Sequence, residues 1–319
     1  MKVLVTGATS LLGAGVANQL RARGDEVTVM QRGESALGLP QIRADLADGS
    51  AVEGACRGQQ AVIHVAAKVS VVGDWEEFER VNVTGTQTLL EAARSTGVQR
   101  FVYVSSPSVA HTGDPIVGAS AEAANPDSAR GHYARSKALA EISALGASGP
   151  DFPVLAIRPH LVWGPGDTQL VGRIVDRARH GRLLLVGGGT SLIDTIYIDN
   201  AVSALVAALD RVPELGGEAF VVTNGEPRTV TELLARICLA KGVPPPTRSI
   251  PSVVAAAAGA FVESAWGRLE RGDEPPMTRF LAEQLATAHW FDQRRTREAL
   301  QWTPHVSLAE GFRRLAAVQ

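Results

Sequence analysis

The first β-branched run of the chain, Val3–Thr6, leads straight into Gly7-Ala8-Thr9-Ser10-Leu11-Leu12-Gly13, and that turn opens the amphipathic stretch Leu12–Arg23. A buried strand that passes through glycines into a helix must return the chain to a second, parallel strand. The following residues keep that promise. Val27–Met30, Ala61–Val65, Phe101–Ser105 and Val154–Arg158 are short apolar runs without alternation, as expected of strands covered on both faces. Trp75–Ser95 and Tyr133–Ala147 read as helices between them, and the three helical stretches end near Gly24, Gly97 and Gly149. The expected fold is α/β, a doubly wound parallel sheet of Rossmann type with right-handed crossovers.

After Arg158 the grammar changes. Proline and glycine gather at Pro159, Gly164-Pro165-Gly166, Gly187-Gly188-Gly189, Pro213 and Pro244-Pro245-Pro246. Val230–Lys241, Val253–Leu269 and Met277–Ala288 read as helices of a smaller, mostly helical C-terminal lobe, while Ala219–Thr223 reads as a strand returning to the main sheet. The expected organisation is a dinucleotide-binding domain over residues 1–158, with later returns near 190–225. A substrate lobe over 159–319 interdigitates with it. With 319 residues, 45% hydrophobic and 20% charged, the chain can bury a core of that size.

The net charge of −2 gives no footprint for nucleic acid or an anionic membrane. Cys56 and Cys238 lie far apart, and no Cys/His spacing suits a metal, so neither a disulfide framework nor a metal centre is expected. The strand-like start leaves no room for a leader, and the apolar run Val253–Val262 is too short to span a bilayer. A cytoplasmic protein is the expectation.

At the first strand–helix junction, Gly7 and Gly13 let the backbone approach a pyrophosphate, with Thr9, Ser10, Leu11 and Leu12 forming the turn around it. Ser10 stands where a middle glycine is usual; it either bonds a phosphate or is a tolerated turn residue. The end of the second strand decides between cofactors. A ribose-binding carboxylate is expected there, and the chain has Gln31-Arg32 instead. With no acid to repel a 2′-phosphate and an arginine to pair with it, NADP(H) is favoured over NAD(H). Asp45-Leu46, after the third strand, would contact the adenine, or Asp45 would cap a helix.

Tyr133-Ala134-Arg135-Ser136-Lys137 sets a tyrosine and a lysine four apart at a helix start, on one face. A free phenol titrates near 10 and is a poor base at neutral pH, and a neighbouring ammonium should lower that value. The strand Phe101-Val102-Tyr103-Val104-Ser105-Ser106, one strand upstream, ends in serines that could hydrogen-bond a reacting oxygen.

These residues resemble those of the extended short-chain dehydrogenase/reductase family over nearly the whole chain. The resemblance rests on the Gly7–Gly13 turn, His64-Val65-Ala66-Ala67, Asn82-Val83-Thr84-Gly85-Thr86, the serine strand end and Tyr133/Lys137. It extends to Arg158-Pro159, to Trp163-Gly164-Pro165-Gly166 and to Tyr197-Ile198-Asp199-Asn200. It implies Tyr133 as acid/base, Lys137 as the nicotinamide-ribose ligand, Ser106 rather than Ser105 as the catalytic serine, and Asn82 as a support. It also implies Ala66, Ala67, Lys68 and Pro159 along the cofactor and a homodimer through Trp75–Ser95 and Tyr133–Ala147. Ser105-Ser106-Pro107-Ser108-Val109 and Ala66-Ala67-Lys68 resemble the 3β-hydroxysteroid and sterol-carboxylate dehydrogenase branch. His64 to Phe78, with Gly73-Asp74-Trp75, is similar to bacterial 2-alkyl-3-oxoalkanoate reductases.

On the substrate side, Lys68 would pair with a carboxylate or sit solvated in its loop, and Ser108 and His160 would touch substrate or pack. Trp75 and Trp163 would line an apolar pocket or the core. The segment 253–266 would gate a greasy channel, lean on a membrane or form a core helix. The expected function is hydride transfer between NADP(H) and a secondary alcohol or ketone on a lipid-like small molecule. An NAD-dependent nucleotide-sugar epimerase or dehydratase is the alternative on the same fold. Against dehydration, Pro107-Ser108 replaces an acid pair; against epimerisation, there is no clear uridine-binding set. A non-catalytic dinucleotide-sensing regulator is a third reading, disfavoured because tyrosine and lysine are both present.

Overall fold

The computed structural model describes residues 1–70, 73–268 and 284–318. Its centre is a sheet built from β1 (Lys2–Thr6), β2 (Glu26–Gln31), β3 (Gln41–Arg43), β4 (Ala61–His64) and β5 (Arg100–Val104). After β6 (Ile116–Ala119), which leaves the sheet, β7 (Val154–Pro159) rejoins it. Every pairing is parallel, and the last place is taken by a late strand, Ala219–Val222, alongside β7. The spatial order runs β3-β2-β1-β4-β5-β7 and then that strand. Every residue of β4 and β7 is buried, which is why both read as unbroken apolar runs.

Alternate residues of β1 feed two separate cores. Val3 and Val5 pack with Val16, Ala17 and Leu20 of α1 (Leu11–Arg23) and with the helix Ile198–Leu215. Leu4 packs on the other face with α2 (Gly49–Cys56) and with Leu89, Leu90, Ala140 and Ala144 of two later helices. Gly15 makes the first layer close: a Cβ there would lie 2.5 Å from Val202 Cγ2.

The helix expected over Trp75–Ser95 is three segments. A short α3 (Trp75–Phe78) passes into a π-helical turn, Glu79–Thr84, before α4 (Gly85–Ser95) resumes the ordinary pitch. The wide turn carries Asn82, which is buried. Such turns concentrate at functional sites because they re-aim a side chain without breaking the helix. Helix α5 (Gly131–Gly146) then carries Tyr133 and Lys137.

The remaining chain forms short strands as well as helices: β8 (Val162–Trp163), β9 (Leu185–Val186), β10 (Leu192–Ile193) and β11 (Ile196–Tyr197) precede the late sheet strand β12 (Ala219–Val222). β13 (Arg228–Thr229), β14 (Ser249–Ile250) and β15 (His289–Phe291) follow it. A small mixed sheet of order β13-β10-β15-β6 sets His289 beside Ile116, so distant segments meet over the main sheet's carboxyl edge. Val230–Ala240 and Ser252–Arg268 are helices, close to the expected bounds. Most of the stretch read as Met277–Ala288 lies outside the described residues. Among the described residues no helix is long and apolar enough to cross a membrane, and both cysteines are free and buried.

Candidate active site

The first turn is held by contacts that only glycine permits. Gly7 has φ +77°, and a Cβ there would sit 2.7 Å from the Ala66 nitrogen. A Cβ on Gly13 would fall 2.3 Å from the Gly7 carbonyl oxygen, so Gly13 brings α1 down onto β1 rather than facing a ligand. Ser10, at the unusual position, caps α1: its Oγ accepts from Gly13 N at 3.1 Å and donates to the Gly7 carbonyl at 2.8 Å. Beneath the turn, Thr6 Oγ1 lies 2.7 Å from His64 Nδ1, and His64 Nε2 lies 3.0 Å from Thr86 Oγ1. Thr86 in turn donates to the Asn82 carbonyl at 2.6 Å. Burial keeps His64 neutral, with its pKa pushed down to about 3.

From this turn a cleft of about 840 Å³ runs along the carboxyl ends of the strands to Tyr133. Gly7, Thr9, Ser10, Leu11 and Leu12 line one end, followed by Gln31, Arg32, Asp45 and Leu46. Ala66, Ala67 and Pro159 line its middle, and Lys137, Ser106, Ser108 and His160 its far end. Gln31 is buried and donates from Nε2 to Gln41 Oε1 at 3.1 Å, while its own Oε1 has no partner. An orphaned acceptor at the ribose position, beside a turn that glycine keeps open, fits a dinucleotide. Asp45 does not cap α2; Asp48 does, accepting from Ala51 N. Asp45 instead accepts from Ala47 N at 3.0 Å and pairs with Arg80 at 3.2 Å, which together hold its carboxyl below the usual range.

At the far end, the Tyr133 phenol is pushed above its ordinary value by burial, opposed by a hydrogen bond with Ser106. The sign is opposite to the sequence expectation. Burial decides that sign, and the Lys137 ammonium does not offset it: its Nζ turns to the Val104 carbonyl at 2.7 Å and lies 4.2 Å from the centre of the Tyr103 ring. Burial brings that ammonium down to about 7, partly offset by Glu141. Ser106 is the serine that reaches Tyr133; it also accepts from Ser108 Oγ at 2.9 Å and caps the 3₁₀ turn Pro107–Ala110. Ser105 is buried with no partner for its Oγ.

Asn82 acts on this group from below. Its Oδ1 accepts from Lys68 N at 2.7 Å, and its Nδ2 donates to the Lys68 carbonyl at 3.1 Å and to Ser136 Oγ at 2.9 Å. Ser136 donates to the Tyr133 carbonyl at 2.9 Å. The π turn is thereby tied both to the loop after β4 and to the start of α5.

Three candidates for substrate contact lie off the cleft, two of them in the packing role that was the other reading. The Lys68 ammonium pairs with Glu77 and lies over the Phe78 ring at 5.1 Å, so it does not line the cleft. Trp163 is fully buried, stacked on Phe312 at 4.6 Å with its Nε1 donating to Thr195 Oγ1 at 2.9 Å. Trp75 packs against His132 with the Arg135 guanidinium 4.5 Å away, and is likewise absent from the lining. The sequence reading missed His111 and His289, which line the far end with His160. Nothing in a one-dimensional pattern joins residues separated by 178 positions, as these two are. Among the described residues no cluster of His, Cys, Asp or Glu could hold a metal ion.

The model of the NAD dependent epimerase/dehydratase family matches residues 3–223. The chain belongs to that family. Its members of this build are the extended short-chain dehydrogenases/reductases, and this one is an NAD(P)-dependent oxidoreductase by its relatives. It is 40% identical to the 2-alkyl-3-oxoalkanoate reductase of Stenotrophomonas maltophilia, over 99% of each chain. It is 30% identical to the human decarboxylating sterol-4-alpha-carboxylate 3-dehydrogenase, over 97% of this chain and 86% of the other. Among solved structures, UDP-glucuronic acid 4-epimerase from Bacillus cereus in complex with NAD superimposes with TM-score 0.76 at 21% identity, covering 99% and 98% of the two chains. That likeness shows the shared dehydrogenase fold. The strand order and the Tyr133–Lys137 helix are those expected of an extended short-chain dehydrogenase/reductase.

Proposed function

We propose that this enzyme reduces the 3-keto group of a 2-alkyl-3-oxoalkanoate to a secondary alcohol, with NADPH as its preferred cofactor. The observation that carries the reading is one continuous cleft, with the glycine turn at one end and the Tyr133–Ser106 pair at the other. Similarity to a 2-alkyl-3-oxoalkanoate reductase over 99% of the chain supports the substrate class.

The cofactor supplies a hydride when bound. Gly7 and the α1 N-terminus would hold its pyrophosphate, and Lys137 its nicotinamide ribose. Tyr133 delivers its phenolic proton to the carbonyl oxygen, and Ser106 hydrogen-bonds that same oxygen. A phenol raised by burial holds the proton that reduction consumes. Asn82 and Ser136 fix the backbone of Tyr133.

The cofactor preference follows from charge. The second strand ends without a carboxylate, Arg32 lines the cleft there, and the nearby Asp45 is already neutralised by Arg80. A 2′-phosphate therefore meets net positive charge. Arg32→Ala should weaken NADPH by about tenfold or more while changing NADH little, since one charge-assisted hydrogen bond contributes roughly 1.5 to 3 kcal/mol. Equal losses for both cofactors would remove the argument.

The substrate is tested by following NADPH absorbance against a 2-alkyl-3-oxoalkanoate, a 3-ketosteroid and UDP-sugars. Rapid consumption with the first alone is the expected result. Interconversion of UDP-sugars by tightly held NAD, with no ketone reduction, would overturn the reading.

A further inference from the structure

We propose that His160, packed beside His111 and His289, holds the substrate's carboxylate and takes up a proton as it binds. The inference rests on the substrate class of the preceding subsection and adds how the acid end of that substrate is recognised.

A 2-alkyl-3-oxoalkanoate bears a full negative charge close to the ketone, and a cleft that excludes water must meet that charge with donors or a cation. Among the described lining residues the cations are Arg32, at the second strand's end, and Lys137, which is tied to the Val104 carbonyl. Lys68, the carboxylate ligand suggested by the sequence, is paired with Glu77 and lies off the cleft. Ser108, Gln169 and Gln284 line the cleft as neutral donors, and the histidines are the remaining lining groups that can become cations.

They come from three separate parts of the chain: His111 from beyond the Ser106-capped turn, His160 from the end of β7, and His289 from β15. His111 Nδ1 accepts from Gly113 N at 2.7 Å, so its proton sits on Nε2 and is donated to His289 Nε2 at 2.8 Å. The Thr287 hydroxyl lies 2.9 Å from that same His289 nitrogen, so His289 Nε2 is likewise engaged inside the protein. His160 differs. It bonds the backbone of Asp194, yet its Nδ1 is buried without a partner, on a side chain that lines the cleft. An imidazole nitrogen left in that state needs a donor, or a proton together with an anion to share it.

A carboxylate with one proton from solvent satisfies it: protonated Nδ1 donates to the carboxylate oxygen, and the imidazolium charge cancels the carboxylate's. The charged and titratable groups around His160 are His111 and His289, whose rings pack against each other at 4.6 Å. The Asp194 carboxylate is engaged by Thr223 Oγ1 at 2.6 Å and Glu226 N at 3.3 Å. In the free enzyme, burial holds His160 near 4 and His289 near 3, so both enter the encounter neutral. Phe291, 5.1 Å from the His160 ring, and Ile116 give the neighbouring wall an apolar surface for an alkyl branch.

The test titrates a 2-alkyl-3-hydroxyalkanoate, and separately its methyl ester, into the NADPH-saturated enzyme. That pairing of alcohol with reduced cofactor allows no turnover. Calorimetry in two buffers of different ionisation enthalpy, between roughly pH 6 and 8, counts the protons. Expected are about one proton taken up per acid bound, an acid affinity that falls by about tenfold per unit rise in pH, and neither effect for the ester. H160F should raise the KM of the keto acid at least about tenfold more than that of its ester, the loss of one charge-assisted bond. Acid binding without proton uptake, or equal penalties for acid and ester in the variant, overturns the inference while leaving ketone reduction standing. Failure of the wild-type enzyme to reduce any 2-alkyl-3-oxoalkanoate would sink the preceding reading, and this inference with it.

Discussion

Tyr133 is held as an acid, and the side chain that sets it up is not its sequence neighbour alone. Lys137 gives one of its three donors to the Val104 carbonyl, whereas Asn82, fifty-odd positions upstream, reaches the Tyr133 backbone through Ser136. Replacing Asn82 by alanine removes three hydrogen bonds and leaves the Lys68 backbone unpaired. The expected result is a kcat drop of about tenfold or more with KM for the ketone changed little, measured by steady-state kinetics. A loss confined to KM would place Asn82 in substrate binding instead. Tyr133, Lys137 and the serine end were legible because their spacing lies within one helix and one strand. The direction of the tyrosine's shift was not, since it depends on burial and on where an ammonium points. Ser10 shows the same limit: its role as a cap is visible only once Gly13 N is seen to donate to it.

Among the elements, the parallel strands were readable because each is buried on both faces, and their order follows from right-handed crossovers. The π turn and the two-residue strands were not, because neither carries enough residues to express a period. Besides the Lys137–Val104 bond, a buried ion pair ties the catalytic helix to the sheet. Arg158 of β7 donates to Glu141 of α5 through Nε at 2.8 Å, both side chains being about 1% exposed, and to the Glu122 carbonyl at 2.7 Å. Glu141 lies one turn beyond Lys137 and raises its affinity for a proton. Arg158→Met strands a buried carboxylate and should cost about 3 to 5 kcal/mol in urea unfolding. A cost below about 1 kcal/mol would mean that the pair contributes little to the α5–β7 contact.

At the scale of the molecule, the buried histidines make folding sensitive to acid. His64, His160 and His289 are held near 3, 4 and 3, below the ordinary value of 6.5, so each binds a proton more readily when the chain is unfolded. Stability is therefore unaffected by them above about pH 6.5 and falls as pH drops towards 4. Each histidine removes about 1.4 kcal/mol per pH unit in that window. Thermal melts from pH 7 to about 4.5 should show a steep fall that His160→Asn makes shallower. A flat profile would contradict neutral burial of the cluster. Catalysis turns on one proton leaving the Tyr133 phenol. Single-turnover mixing of NADPH-loaded enzyme with a 2-alkyl-3-oxoalkanoate tests it directly. In Tyr133→Phe the rate of NADPH oxidation should fall by about 10²- to 10⁴-fold, with NADPH affinity within about twofold of wild type. Oxidation at the wild-type rate in that variant would contradict the account.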